Sequence, residues 1–322
     1  MKAIVQDAYG SPDVLKLEEI EKPAVPDDGV LVRVRAASLN AADWHFMRGE
    51  PLIARMAFGL RKPKQRIPGS DVAGTVEALG NGVTQFQPGD EVFGSCRGSL
   101  AEYAWGEQKS FVRKPADLSF EQAAATPLAA LTALQGLRDQ GHVQAGQKVL
   151  INGASGGVGP FAVQIAKSFG AEVTGVCSTG NVDMVRSMGA DRVLDYTRED
   201  FTEGGPRYDL MVDIAGNRPW SQLRRVLNPN ATLVAIGGPS TNRWIGPLGH
   251  LLRVRLASLG GSRKVAVFVA SPNHEDLMVL QKLLEAGKIT PFIDRTYPLS
   301  EAPHGMRYLE TGHARGKVVI TV

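Results

Sequence analysis

The chain has 322 residues, 43% hydrophobic and 21% charged, which is ordinary for a globular protein and long enough for two domains. Its 36 Lys and Arg against 33 Asp and Glu leave a net charge of +3, too weak to argue for a nucleic-acid partner. Two cysteines, Cys96 and Cys177, exclude a disulfide framework and a cysteine-rich zinc site, and they read as a reducing, cytoplasmic setting.

No apolar leader follows Met1. The most apolar stretch, 123–134, contains Pro127 and is too short to cross a bilayer, so no transmembrane segment is expected. Residues 1–122 read as strands and turns. Val30, Val32 and Val34 alternate with Leu31, Arg33 and Arg35, the period of a strand. Glycine and proline punctuate the region at Gly10, Pro12, Gly29, Pro68, Gly69, Pro88 and Gly89, and 71–79 and 90–96 are further strands. At Ser119 the texture changes. Ser119 with Gln122 forms a capping box, and the alanine-rich run 123–137 is helix-forming despite Pro127. Strands at 148–152, 172–177, 192–195, 208–214 and 232–236 then alternate with helices at 158–169 and 182–188, the pattern of a parallel sheet wrapped by helices. A helix at 275–287 carries Leu277, Leu280, Leu283 and Leu284 on one stripe, and 317–322 is a short β-like tail.

The run from Lys148 to Asn152 leads into Gly153-Ala154-Ser155-Gly156-Gly157-Val158-Gly159. A strand meets a glycine-rich turn and a helix follows, a variant of the dinucleotide fingerprint. Gly153 permits the tight turn, Gly156 lets backbone approach a pyrophosphate, and Gly159 allows the helix to pack on the strand. Free N–H groups at the helix start then receive phosphate, and Pro160 fits the first turn. The second strand ends in Cys177-Ser178-Thr179-Gly180-Asn181 with no acid for ribose hydroxyls, which favours NADP(H). No Arg or Lys lies between 178 and 181, so Tyr196 or Arg198 is the expected further contact, and a site that also takes NAD(H) is the alternative.

With these residues the chain resembles a medium-chain dehydrogenase/reductase of the zinc-lacking, quinone oxidoreductase-like branch. The resemblance covers nearly the whole length. Its marks are Lys2-Ala3-Ile4, Ala37-Ser38-Leu39-Asn40, Pro68-Gly69-Ser70-Asp71-Val72-Ala73-Gly74, Pro88-Gly89-Asp90-Glu91-Val92-Phe93-Gly94, the glycine-rich run, Gly189-Ala190-Asp191 and the stretches 289–299 and 312–319. It implies an α/β fold in which a doubly wound Rossmann domain, 123–289, is inserted into a GroES-like β-rich domain made of 1–122 plus 290–322. It also implies a homodimer paired through the Rossmann sheet. Zinc-dependent relatives carry Cys near position 40 and Gly-His-Glu where this chain has Gly69-Ser70-Asp71; with Asn40 and Ser70 in those places, no metal is expected.

What the resemblance implies for the site follows residue by residue. Asn40, Asp43 and Trp44 stand as catalytic candidates: Asn40 donates to a carbonyl, and Trp44 walls a flat ring. Cofactor contacts are expected from Asn40, Thr126, Gly153, Ala154, Ser155, Gly156, Gly157, Val158, Gly159, Ser178, Thr179, Asn181, Tyr196, Ile236, Gly237, Gly238, Phe268, Val269, Arg315 and Lys317. The expected activity is hydride transfer from NADPH to a small quinone or α,β-unsaturated carbonyl, an acceptor that spreads the arriving charge into its own π-system. The alternatives are an enoyl-thioester reductase and a non-catalytic dinucleotide-binding scaffold or redox sensor. Two basic, apolar segments, 48–66 and 240–265, read as a lid with a positive rim, as a patch meeting anionic lipid, or as solvated or dimer-buried loops.

Overall fold

In a computed structural model, residues 1–239 and 242–322 are described. The chain divides into two compact units, Met1–Leu131 with Pro272–Val322, and Thr132–Ser271.

The first unit opens with β1 (Lys2–Val5) and β2 (Lys16–Glu19), paired antiparallel. β3 (Gly29–Leu39) runs into α1 (Ala41–Arg48) and the short α2 (Arg55–Phe58). β4 (Asp71–Leu79), β5 (Glu91–Ser95), β6 (Tyr103–Glu107) and β7 (Phe111–Arg113) follow. On β3, Val30, Val32 and Val34 are buried with Val72, Val92 and Phe111, while Arg33 and Arg35 face water. α3 (Phe120–Ala124) starts at the expected cap: Ser119 Oγ accepts from the Gln122 N–H at 3.2 Å, and Gln122 Oε1 accepts from the Ser119 N–H at 3.1 Å. The alanine-rich run is not one helix. It breaks at Ala125 and Thr126, and Pro127 begins α4 (Pro127–Gln135), because proline supplies no N–H to the preceding turn.

The second unit alternates strand and helix: β8 (Lys148–Asn152), α5 (Gly159–Ser168), β9 (Glu172–Cys177), α6 (Val182–Ser187), β10 (Arg192–Asp195), β11 (Tyr208–Asp213), α7 (Trp220–Leu223), β12 (Leu227–Ala235), α8 (Pro247–Ala257) and β13 (Lys264–Val267). The strands are parallel in the order β10-β9-β8-β11-β12-β13, a doubly wound sheet whose order reverses between β8 and β11. Leu150, Val176, Met211 and Leu233 from its strands pack with Trp220, Leu223 and Val254. β13 extends the sheet by one strand that period-2 reading of the sequence does not reveal, since Lys264–Val267 is only half-buried.

The chain then returns to the first unit with α9 (His274–Glu285), β14 (Ile293–Pro298), α10 (Ala302–Glu310) and β15 (Lys317–Thr321). The large sheet of that unit runs β14-β15-β3-β4-β5-β7, with β6 also on β3. The units divide after Leu131 and Ser271 rather than at 122 and 289, because α3 packs on β3, β4 and β5 and α9 packs on β7. The antiparallel register of β15 on β3 sets Val318 opposite Leu39. Lys317 is thereby carried to Asn40 across most of the chain.

Candidate functional site

Asn40 follows the last residue of β3 and caps α1, and its backbone N–H donates to the Asp43 carboxylate at 2.7 Å. The Asn40 side chain turns inward. Its Nδ2 donates to Asp71 Oδ2 at 2.9 Å, and its Oδ1 accepts from Lys317 Nζ. Lys317 Nζ also donates to the Leu39 carbonyl at 3.0 Å and lies 3.8 Å from Asp71 Oδ2. Ser38 Oγ and the Leu128 N–H, each at 3.3 Å, complete the shell of Asp71. All four principal groups, Asn40, Asp43, Asp71 and Lys317, are buried.

Burial governs their charge. It raises Asp71 and lowers Lys317, each opposed by the attraction of the other. It pushes the Asp43 carboxyl up to about 7; the Asn40 N–H opposes this, the Asp71 charge adds to it, and Lys317 opposes it. Asp43 is therefore poised to hold or release a proton near neutral pH.

Asp43 lines a cavity of about 620 Å³ in the same unit, with Phe46, Phe58, Tyr9, Cys96 and Arg97 among its walls. The Phe46 and Phe58 rings stand 4.2 Å apart, centroid to centroid. Tyr9 pins the loop by donating to the Gly59 carbonyl at 2.7 Å. The basic residues of 48–66 are largely engaged: Arg48 with Glu310, Arg66 with Asp7 and Glu18, and Arg55 with the Gly49 carbonyl. Burial pushes the Cys96 thiol far up, so it is no nucleophile.

In the second unit the glycine-rich turn has the shape a dinucleotide needs. Gly153 sits at φ +87°, where side chains are strained, and its N–H and that of Ala154 both bond the Val176 carbonyl. A Cβ on Gly159 would lie 2.3 Å from the Gly153 carbonyl oxygen, so α5 closes on the turn only with glycine there. A Cβ on Gly156 would meet nothing nearer than 3.8 Å, the open approach a pyrophosphate requires. The N–H groups of the first turn of α5 have no partners within the helix. Ser155, Gly157 and Val158 complete the turn, half-buried.

At the end of β9, Asn181 Nδ2 donates to Ser155 Oγ and Ser178 Oγ, both at 3.1 Å, while its Oδ1 is buried without a partner. Thr179 is already occupied: its hydroxyl donates to Asp195 Oδ2 at 2.5 Å. A carboxylate therefore does reach this corner, from β10 rather than from the end of β9. The hydroxyls of Thr179 and Thr197 lower its pKa from the ordinary carboxylate value. Tyr196 is exposed beside it.

The other expected contacts are placed as follows. Thr126 donates to the Gln122 carbonyl at 3.0 Å, a helix-end bond inside the first unit. Ile236, Gly237 and Gly238 follow β12, and Phe268 and Val269 follow β13, with Val269 exposed. Arg315 is exposed, whereas Lys317 is buried with its ammonium on the Asn40 side-chain oxygen. Trp44 packs into the cluster of Leu39, Met47 and Met306, and the aromatic side chains on the cavity wall are Phe46, Phe58 and Tyr9. The sequence signal that would have found the two phenylalanines is weak, because α1 and α2, which carry them, are too short to show a clear period.

Asn40 and Ser70 offer neither thiolate nor imidazole, and among the described residues no three of His, Cys, Asp and Glu gather as a metal site. The donor set does not fit a zinc ion. A doubly wound sheet with a built phosphate turn, joined to a β-rich unit with a buried Asn–Lys–Asp cluster, defines a dinucleotide-binding oxidoreductase.

Comparison with known proteins agrees. Residues 26–116 match the alcohol dehydrogenase GroES-like domain family, and residues 188–320 match a family described as zinc-binding dehydrogenase. The chain is 36% identical to 2-methylene-furan-3-one reductase of Solanum lycopersicum, over 99% of this chain and 79% of that protein. It is 35% identical to the chloroplastic NADPH-dependent alkenal/one oxidoreductase of Arabidopsis thaliana, with the same coverage of 99% and 79%. The solved quinone oxidoreductase from Coxiella burnetii superposes with a TM-score of 0.86 at 32% identity, covering 100% of this chain and 99% of that one. The chain belongs to the medium-chain dehydrogenases/reductases, in their zinc-lacking, quinone oxidoreductase-like branch. No helix among the described residues is long and apolar enough to cross a membrane.

Proposed function

We propose that this protein is an NADPH-dependent reductase of quinones and α,β-unsaturated carbonyls that works without zinc. The observation that carries the reading is the buried Asp43 carboxyl at the wall of a cavity faced by Phe46 and Phe58. The names of the tomato and Arabidopsis relatives support the same acceptor class and coenzyme.

Bound NADPH supplies a hydride. The glycine-rich turn would hold its pyrophosphate, and the Ser155 and Ser178 hydroxyls, positioned by the Asn181 amide, would donate to the ribose phosphate, with Tyr196 beside them. Lys317 and Asp71 fix the plane of the Asn40 amide, whose remaining N–H is offered to the acceptor carbonyl. Phe46 and Phe58, packed on each other, present one apolar wall to the flat conjugated system and exclude water. Asp43 in its protonated form gives its proton to the carbon or oxygen left negative, becomes carboxylate, and regains a proton from water. The same reading takes a cytoplasmic setting and a homodimer joined through the open edge of β13.

The test is steady-state NADPH consumption on an enone, a soluble quinone and an enoyl thioester. Because the proton-bearing form of Asp43 is the active one, kcat/KM falls as pH rises through about 7. Asp43→Asn removes that limb and lowers kcat by roughly 10²-fold or more. An unchanged rate and profile in this variant would remove Asp43 from the chemistry. A hundredfold preference for the thioester, ~2.7 kcal/mol, would reassign the enzyme to enoyl-thioester reduction. Coenzyme binding without turnover of any acceptor would make it a scaffold.

A further inference from the structure

Helix α8 has two apolar faces where a helix of a globular domain has one. Leu251 and Val254 are buried, and Val254 packs into the core of the second unit. Leu248, Leu252 and Leu256 recur every four residues on a second, exposed side, and Leu259 follows just past the helix end. Leu252, Leu256 and Leu259 are 57%, 64% and 72% exposed, and Trp244, just before the helix, is 70% exposed. Arg253 and Arg255 flank the stripe on either side, and no Asp or Glu occurs between 242 and 265. On the Arg253 flank lies a cavity of about 620 Å³ lined also by Arg218, Arg224 and His250. The His250 Nε2 is buried there without a partner, while Arg218 is paired with Asp200 at 3.4 Å.

We propose that this face of α8 docks the protein on an anionic lipid surface. The leucines and Trp244 enter the boundary between headgroups and acyl chains, and Arg253 and Arg255 meet lipid phosphates. The cavity beside Arg253 gives one headgroup phosphate a seat. A second copy of this chain is the poorer occupant. Two-fold packing of the stripe would bring Arg253 and Arg255 against their own copies with no acid in the segment to pair them.

The experiment is co-sedimentation of the full chain with vesicles of phosphatidylcholine alone and of phosphatidylcholine with phosphatidylglycerol. The protein sediments with the anionic vesicles only, and added salt weakens binding. Leu252→Glu with Leu256→Glu, and separately Arg253→Gln with Arg255→Gln, each reduce binding about tenfold or more and leave NADPH binding intact. The fluorescence of Trp244 shifts to the blue on anionic vesicles, and the shift is lost in Trp244→Phe. Wild-type protein left in the supernatant, or both double variants binding like wild type, overturns the proposal. Loss of a dimer in sedimentation velocity on the same substitutions, without vesicle binding by wild type, assigns the face to a second copy and also overturns it.

Discussion

Two asparagines, one in each unit, stand in opposite states. Asn40 spends both ends of its amide on Lys317 and Asp71. Asn181 gives its donor to Ser155 and Ser178 but keeps a buried, unpartnered Oδ1, next to a turn whose Gly156 faces open space. Buried polar groups are nearly always satisfied, so the first centre is held in one orientation by the protein itself, with a single amide N–H to spare, and the second keeps an unfilled acceptor. In the proposed reading, orientation comes from the closed centre and coenzyme affinity from the open one.

That contrast can be broken at its closed end with the largest effect. Lys317→Met leaves Asp71 buried without its cation, and urea denaturation should record a loss of about 3–5 kcal/mol. A loss within ~1 kcal/mol would mean that the pair is not a buried ion pair at all. At the open end, Gly159→Ala forces a methyl against the Gly153 carbonyl oxygen. Calorimetry should show NADPH affinity lowered roughly a hundredfold, ~2.7 kcal/mol, and an unchanged affinity would refute the close packing of turn and helix. Asn181→Asp is the mildest change. It places a negative charge beside Ser155 and Ser178, and the Kd for NADPH should rise about tenfold while that for NADH moves much less. Equal weakening of both coenzymes would take the ribose phosphate away from this corner.

Local patterns were legible where the physics is local. The capping box at Ser119, the strand 71–79 and the glycine-rich turn all stand where short-range pattern puts them. The role of Lys317 was not legible. Arg315-Gly316-Lys317 shows two charges in sequence, and a charge carries no mark of the partner it meets 277 residues away. Asp195 was missed at the coenzyme corner for a related reason, since parallel pairing of β10 with β9 sets it opposite Cys177. The second apolar face of α8 was legible only as a mixture of leucine and arginine. Its separation into an inner and an outer stripe needs the helix phase and the neighbours of Leu251 and Val254.

The register of β15 against β3 has a consequence for biosynthesis. Asn40 emerges from the ribosome early, and the amine that locks it emerges only after every strand of the parallel sheet has been made. A nascent chain must therefore carry Asp71 and Asn40 unsealed while the inserted unit folds, and vectorial synthesis delays the first unit's competence until the second is complete.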